Sequence, residues 1–185
     1  MDALAAGVAV LERSISYALG SLTLVTPALL IRPTPCPRWD LRDLLHHFSD
    51  SMAALQEAAE CGRVILAPRP DGDAVIGETR DRAVRLLGAW TNGPSTPTVR
   101  VEAAPLTTPI VAGAGAIEVA VHGWDVARAC GTDRPLPDDL ADELLDLAIV
   151  LLRTPDRAGR FAAPLTPPPA AAPGTRLLAF LGRTG

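Results

Sequence analysis

Leu4, Val8, Leu11, Ile15 and Leu19 recur at steps of four and three, the spacing of one helix face, and predict a first helix over residues 2–20. The stretch RPTPCPRWD, residues 32–40, holds three prolines and predicts an extended lead-in, with Pro37 tolerated in the first turn of the next helix. That second helix, over residues 38–61, carries Leu41, Leu44, Leu45, Phe48, Met52 and Leu55 on one stripe before Gly62 ends it. PRPDG marks a loop over residues 63–72. A third helix follows over 73–90, with Ile76, Ala83, Leu87 and Trp90 as its inner face.

TNGPSTPTVRVEAAP, residues 91–105, is too broken by Gly and Pro for a helix. Only TVRVE alternates as a strand does, and an isolated strand has no stability of its own, so none is assigned. A fourth helix over 108–130 is closed by Gly131, and a fifth over 137–153 opens with acids that suit a helix N-terminus. The expectation is an all-α fold, an antiparallel four-helix bundle with one extra short helix, forming a single domain over residues 1–185. The run PLTPPPAAAP, residues 164–173, has five prolines and cannot be helical throughout. RLLAFLGR then docks as a short last turn, so that 163–185 is a Pro-rich tail packing on the bundle.

Apolar residues make up 48% and charged residues 21%, and the mean hydropathy of +0.22 describes a globular chain with a well-filled interior. The net charge of -4 and the scatter of the 17 basic residues argue against nucleic acid as a partner. All 17 are arginine, which fits codon bias in a GC-rich genome and excludes Schiff-base chemistry on a lysine. Cys36, Cys61 and Cys130 form no C-x-x-C pair and no even framework, which fits a reducing cytosol; all three are assigned structural roles. No basic region precedes an apolar stretch at Met1 and Asp2, so the start does not read as a signal peptide. LTLVTPALLI, residues 22–31, is shorter than the roughly 20 residues of a membrane span, so no membrane is expected and the location expected is cytoplasmic.

Against this background AIEVAVHGWDVA, residues 116–127, stands out. Glu118 and His122 lie four apart and share a helix face, Asp125 follows three further on, and the rest of the helix is apolar on nearly every side. An ionised carboxylate there costs several kcal/mol, as an order of magnitude, unless it is paired or coordinated. Glu118 and His122 can satisfy each other or a neighbouring Arg or Ser, or they can be part of a metal site with a third ligand. The remaining histidines, His46 and His47, point about 100° apart on the second helix. His46 shares its face with Arg42, Asp43, Asp50 and Glu57, a solvated set, whereas His47 shares its face with the small residues Ser51, Ala54 and Ala58. His47 is therefore the candidate third ligand. His47, Glu118 and His122 leave coordination positions open, the pattern of catalytic zinc, and nickel, iron or manganese accept the same ligands.

TPCPRWDLRDLLHHFSD resembles the start of the second helix in the DinB-like metal-binding bundles related to mycothiol-dependent maleylpyruvate isomerase, where T-P-C-P-x-W-x-x-x-x-L-x-x-H is usual. EVAVHGWDVARACG is similar to their E-x-x-x-H-G-W-D-x-A-x-A-x-G segment, and RLLAFLGR to their common ending. The resemblance is to the N-terminal type of domain of that isomerase and spans nearly the whole chain. Carried over residue by residue, it places metal ligation on His47, Glu118 and His122; position 46, often Asn in such proteins, is His here. It implies a divalent metal at the floor of a cleft, binding the thiolate of a low-molecular-weight thiol such as mycothiol as cosubstrate. Addition of that nucleophile to a small electrophilic substrate then leads to transfer or to cis–trans isomerisation. The alternatives are an enzyme using the metal as Lewis acid or bound water as nucleophile, and a non-catalytic ligand-binding bundle.

Asp125 is the candidate catalytic residue, either orienting the His122 imidazole or acting as a base. Arg42, Arg80, Arg82 and Arg128 are candidates for an acidic substrate or thiol, with Arg128 assigned to the cofactor. Trp39 and Trp124 are assigned to packing at helix ends. A monomer is expected, or a homodimer through the apolar face of the first helix.

Overall fold

In the computed structural model, which describes residues 3–65, 74–94, 96–102, 104–152 and 161–184, Asp40 decides where the second helix begins. Its carboxylate accepts the Asp43 N–H at 2.9 Å, and the Asp43 carboxylate accepts the Asp40 N–H at 3.3 Å. This reciprocal capping box contributes about 1 kcal/mol. The helix, α2, therefore spans Leu41–Cys61, and Pro37 lies outside it rather than in its first turn. Arg38 has φ 71, the left-handed region, which a right-handed helix does not admit.

The other helices of the same unit are α1 (Ala3–Leu22), α3 (Val75–Thr91) and α4 (Thr108–Ala129). α1 packs along α4 and touches α3, while α2 packs against both α3 and α4. The apolar stripe expected on α2 is buried at every position. On α1 the buried face is wider than expected: Leu11 and Ile15 lie at its centre with Ser14, Ala18 and Leu22, and Val8 and Leu19 flank it half-buried.

The inner face of α3 is turned relative to the expected one. Val75, Thr79, Ala83, Leu86 and Trp90 are buried, whereas Ile76 and Leu87 are half-buried. Trp90 closes this face, its indole Nε1–H donating to the Leu55 carbonyl at 3.1 Å, and Leu86, Ala83, Thr79 and Val75 continue it at steps of three and four. Thr79 can occupy that face because its hydroxyl donates back to the Val75 carbonyl at 2.7 Å. Arg80 donates through Nε and its terminal nitrogen to the Leu22 carbonyl at 3.1 and 2.9 Å and to the Val25 carbonyl at 3.2 Å. Its guanidinium thus closes the end of α1.

The fold is mostly helical, but all-α is too narrow a description. A small sheet of β1 (Arg63–Val64), β2 (Thr98–Val101) and β3 (Ala104–Thr107) runs in the order β1-β2-β3. β1 pairs with β2 in parallel, with Arg63 opposite Arg100, and β2 pairs with β3 antiparallel, with Val99 opposite Leu106. The partners missing from the local pattern come from either side: a two-residue strand directly after α2, and a hairpin return through Glu102, whose φ of 53 suits a two-residue turn. Pro105 is admitted because β3 is an edge strand. Asp2 of the expected first helix, residues 66–72 of the expected loop, Asp73 of the expected third helix and Arg153 of the expected fifth lie outside the described residues.

By internal contacts the chain forms two compact units, Met1–Arg134 and Pro135–Gly185. The second holds α5 (Asp138–Leu151) and α6 (Pro173–Phe180), packed together through buried residues that include Leu140, Leu144, Leu177 and Leu178. Arg176 pairs with Asp142 across the two helices, and the Leu165 N–H donates to the Ala179 carbonyl at 2.8 Å.

α4 is the most enclosed element. By length and composition it is, among the described residues, the one helix able to cross a membrane, yet 83% of that window is buried inside the protein. Its apolarity serves the core. Gly123 is where α1 comes closest: a Cβ there would lie 2.9 Å from Ala18 Cα and 3.1 Å from Ala18 Cβ. Gly123→Ala should therefore destabilise the protein by about 1–3 kcal/mol, since backbone would have to move. Gly88→Ala should stabilise it by about 0.5–1 kcal/mol, because a Cβ at that helical position meets nothing within 4 Å. Urea unfolding midpoints of the two variants check both signs.

Candidate metal centre

The facing sides of α2 and α4 bring His47, Glu118 and His122 together. His47 Nε2 lies 3.0 Å from Glu118 Oε1, and His122 Nε2 lies 3.1 Å from the same oxygen. Ser51, one turn beyond His47, donates its hydroxyl to that oxygen at 3.0 Å. The two imidazoles meet edge to face with centroids 5.0 Å apart. One donor atom from each of the three residues lies within 4.8 Å of the others, so two imidazole nitrogens and a carboxylate oxygen converge in a set that could hold a divalent cation. His46, on the neighbouring face of α2, belongs to neither of the two donor groups found among the described residues.

The surroundings order the three residues unequally. His122 is 6% exposed, whereas the side chains of His47 and Glu118 are 39% and 28% exposed, so the site opens on the His47 side. The Trp39 ring tilts against His47 at 4.7 Å and Phe48 packs beside His122 at 5.8 Å, which gives the imidazoles aromatic walls. Trp124 is buried, as expected of a packing residue, but half-buried Trp39 touches a candidate ligand.

Asp125 reaches back along its own helix. Its fully buried carboxylate Oδ2 lies 3.0 Å from His122 Nδ1, so Nε2 is the nitrogen directed at Glu118. The Cys36 thiol donates to the same Oδ2 at 3.4 Å. Arg128 lies apart from these contacts. Its guanidinium sits 5.6 Å from the Trp124 ring centroid and 4.0 Å from the exposed Asp133 carboxylate. Ser51 and Cys36 carry contacts that the sequence reading did not assign. The i, i+4 spacing of Ser51 from His47 pointed to the first, and nothing local pointed to the second.

Burial opposes both charges of the central pair. Desolvation would push the Glu118 carboxyl up, but the His122 charge and the hydrogen bonds from both imidazoles outweigh it and hold Glu118 well below the usual carboxylate range. Desolvation would likewise push His122 down, yet the Glu118 charge and the bonds to Asp125 and Cys36 hold its imidazolium well above the usual histidine range. Without a cation, Glu118 and His122 form an ion pair. The same atoms serve either reading of the sequence, internal satisfaction or coordination.

Comparison with known proteins bears on that choice. The model for the family described as mycothiol maleylpyruvate isomerase N-terminal domain matches residues 11–127, a span that includes Cys36, His47, Ser51, Glu118, His122 and Asp125 and stops just short of Arg128. The chain is also 29% identical over 161 residues to each of two Mycobacterium tuberculosis proteins, Uncharacterized protein MT0763 of strain CDC 1551 / Oshkosh and Uncharacterized protein Rv0738 of strain ATCC 25618 / H37Rv. These matches cover 82% of this chain and 84% of each relative.

A pH dependence follows from the pair. A cation must displace the proton from His122, whereas Glu118 is already ionised at neutral pH. Zinc or cobalt affinity of the metal-free protein should therefore rise with pH through the neutral range and level off above the raised pKa of His122. Protons should be released as the cation binds, in a number that includes the one held by His122. Calorimetric titrations in two buffers of different ionisation enthalpy measure that number.

Proposed function

Because the chain belongs to the mycothiol maleylpyruvate isomerase N-terminal domain family, we propose that it is a divalent-metal-dependent enzyme using a low-molecular-weight thiol of the mycothiol type to transfer or isomerise a small molecule. His47, Glu118 and His122 hold the metal in this reading, and zinc suits the donor set best, with nickel, iron or manganese also accepted. The observation that carries it is the convergence of these three donors from α2 and α4 beside a partly open face. A cation bound there would supply the Lewis acidity that lowers a thiol's pKa and keeps it as thiolate near neutral pH.

The chain's own residues prepare that site. Ser51 fixes the Glu118 carboxylate by donating to Oε1. In this reading Asp125 acts as a positioning residue that orients His122 through Nδ1, a role that its full burial supports. Trp39 and Phe48 flank the imidazoles and limit the water around them. Arg128, half-exposed at the end of α4, is assigned to an acidic group of the substrate or cosubstrate. The thiol chemistry of this reading, with no disulfide among the three cysteines, supports a reducing cytosol as the location.

Protein purified without added metal should carry about one equivalent, as a single three-ligand site requires. His47→Ala should lose that metal and His46→Ala should keep it; the reverse would mean that the wrong face of α2 has been chosen. Mycothiol titrated into cobalt-substituted protein should produce a thiolate-to-metal charge-transfer band. A site that takes metal but gives no band would favour Lewis-acid or metal-water chemistry. Absence of metal, with His47→Ala leaving stability unchanged, would leave a non-catalytic ligand-binding bundle.

A further inference from the structure

The loop over residues 33–40 touches both candidate imidazoles, one directly and one through an intermediary. Pro33 and Asp40 bridge its two ends. Inside it, the Thr34 N–H donates to the Trp39 carbonyl at 3.2 Å and the Trp39 N–H to the Cys36 carbonyl at 3.2 Å. The Thr34 hydroxyl accepts the Cys36 N–H at 3.1 Å and lies 3.0 Å from the Trp39 carbonyl. Arg38 takes the left-handed conformation that turns the chain back toward α2. A short segment tied this closely holds its side chains in defined places. Trp39 is set against His47, and Cys36 is set against Asp125, 89 positions away in sequence.

We propose that Cys36 is a positioning residue of the metal centre, its S–H holding the Asp125 carboxylate so that Asp125 in turn presents His122 Nε2 to the cation. Both bonds converge on one oxygen: Oδ2 accepts from Cys36 Sγ at 3.4 Å and from His122 Nδ1 at 3.0 Å. The carboxylate is completely buried in the folded protein, where losing a donor is costly. Sγ of Cys36, a ring nitrogen of His122 and a carboxylate oxygen of Asp125 all lie within 4.8 Å of one another. Partners one step beyond a metal's ligands fix ring orientation and tautomer, and their loss typically costs about 10- to 100-fold in metal affinity. This inference rests on metal binding by His47, Glu118 and His122 and adds to it a role for the thiol.

The test uses the full chain, with cobalt alone as probe. Cys36→Ala should bind cobalt about 10- to 100-fold more weakly than wild type, with altered d–d bands. Cys36→Ser, which keeps a donor, should restore affinity to within about threefold, the spread expected of a retained hydrogen bond. Cys130→Ala, a change of another part-buried cysteine, should leave both readings unmoved. A merely structural role would lower the melting temperature of Cys36→Ala without moving affinity or spectrum, and that result overturns the proposal. Should Cys36→Ala not fold, the Nδ1–H proton resonance of His122 in zinc-loaded Cys36→Ser carries the decision. An O–H donor competes for the same Oδ2 more strongly than an S–H, so the resonance should shift; an unchanged resonance overturns the proposal. Wild-type protein that takes no cobalt overturns the metal reading and this inference together, whereas wild-type binding matched by Cys36→Ala overturns this inference alone.

Discussion

One carboxylate oxygen organises this protein. Glu118 stands on the most enclosed helix of the fold, where an ionised group is costly to bury, and its Oε1 is met by His47, His122 and Ser51 within 3.1 Å. Two of those partners come from α2, so the compensation exists only when α2 and α4 lie side by side at the right height. The apolar stripe of α2 secures that placement: Leu44, Leu45, Phe48 and Met52 are buried, and His47 and Ser51 ride at the edge of the same surface.

The sequence HGWD shows how α4 serves several demands in one turn. Successive helical residues point about 100° apart, so these four residues face four directions. His122 faces the site, Gly123 admits the backbone of α1, Trp124 fills the core, and Asp125 comes round to grip His122 from behind. The glycine is needed for packing rather than flexibility, because any Cβ there would meet Ala18. The close approach of α1 and the orientation of His122 are therefore neighbouring properties of one helix turn.

Part of this was legible locally. Helical periodicity placed the helices near their observed positions, and counting faces on α2 separated His47 from His46. It failed where a distant partner sets the outcome. On α3, Ala83 and Trp90 are buried as expected, but Thr79, 3.4 Å from the Leu45 carbonyl, is buried with Val75 and Leu86, while Ile76 and Leu87 are only half-buried. In the sheet, TVRVE has the alternation of a strand, but its parallel neighbour is a two-residue segment, Arg63–Val64, whose paired residues lie 37 positions earlier and which no local pattern marks. Arg80, one of four arginines considered for an acidic ligand, is instead bonded to the carbonyls at the end of α1.

What the sequence determined by itself was the set of residues under tension: a carboxylate and an imidazole four apart in an apolar helix, and a histidine on the small-residue face of another. Spacing of 3.6 residues per turn is enough to decide which side chains share a face. What only the tertiary structure decided was which atoms meet. That His47 and Ser51 of α2 meet the same Glu118 oxygen that His122 meets, and that Cys36 reaches Asp125 from a proline-rich loop, are contacts between segments distant along the chain. Such contacts depend on how helices pack and where a loop is tied down, and neither is encoded in the period of any one segment.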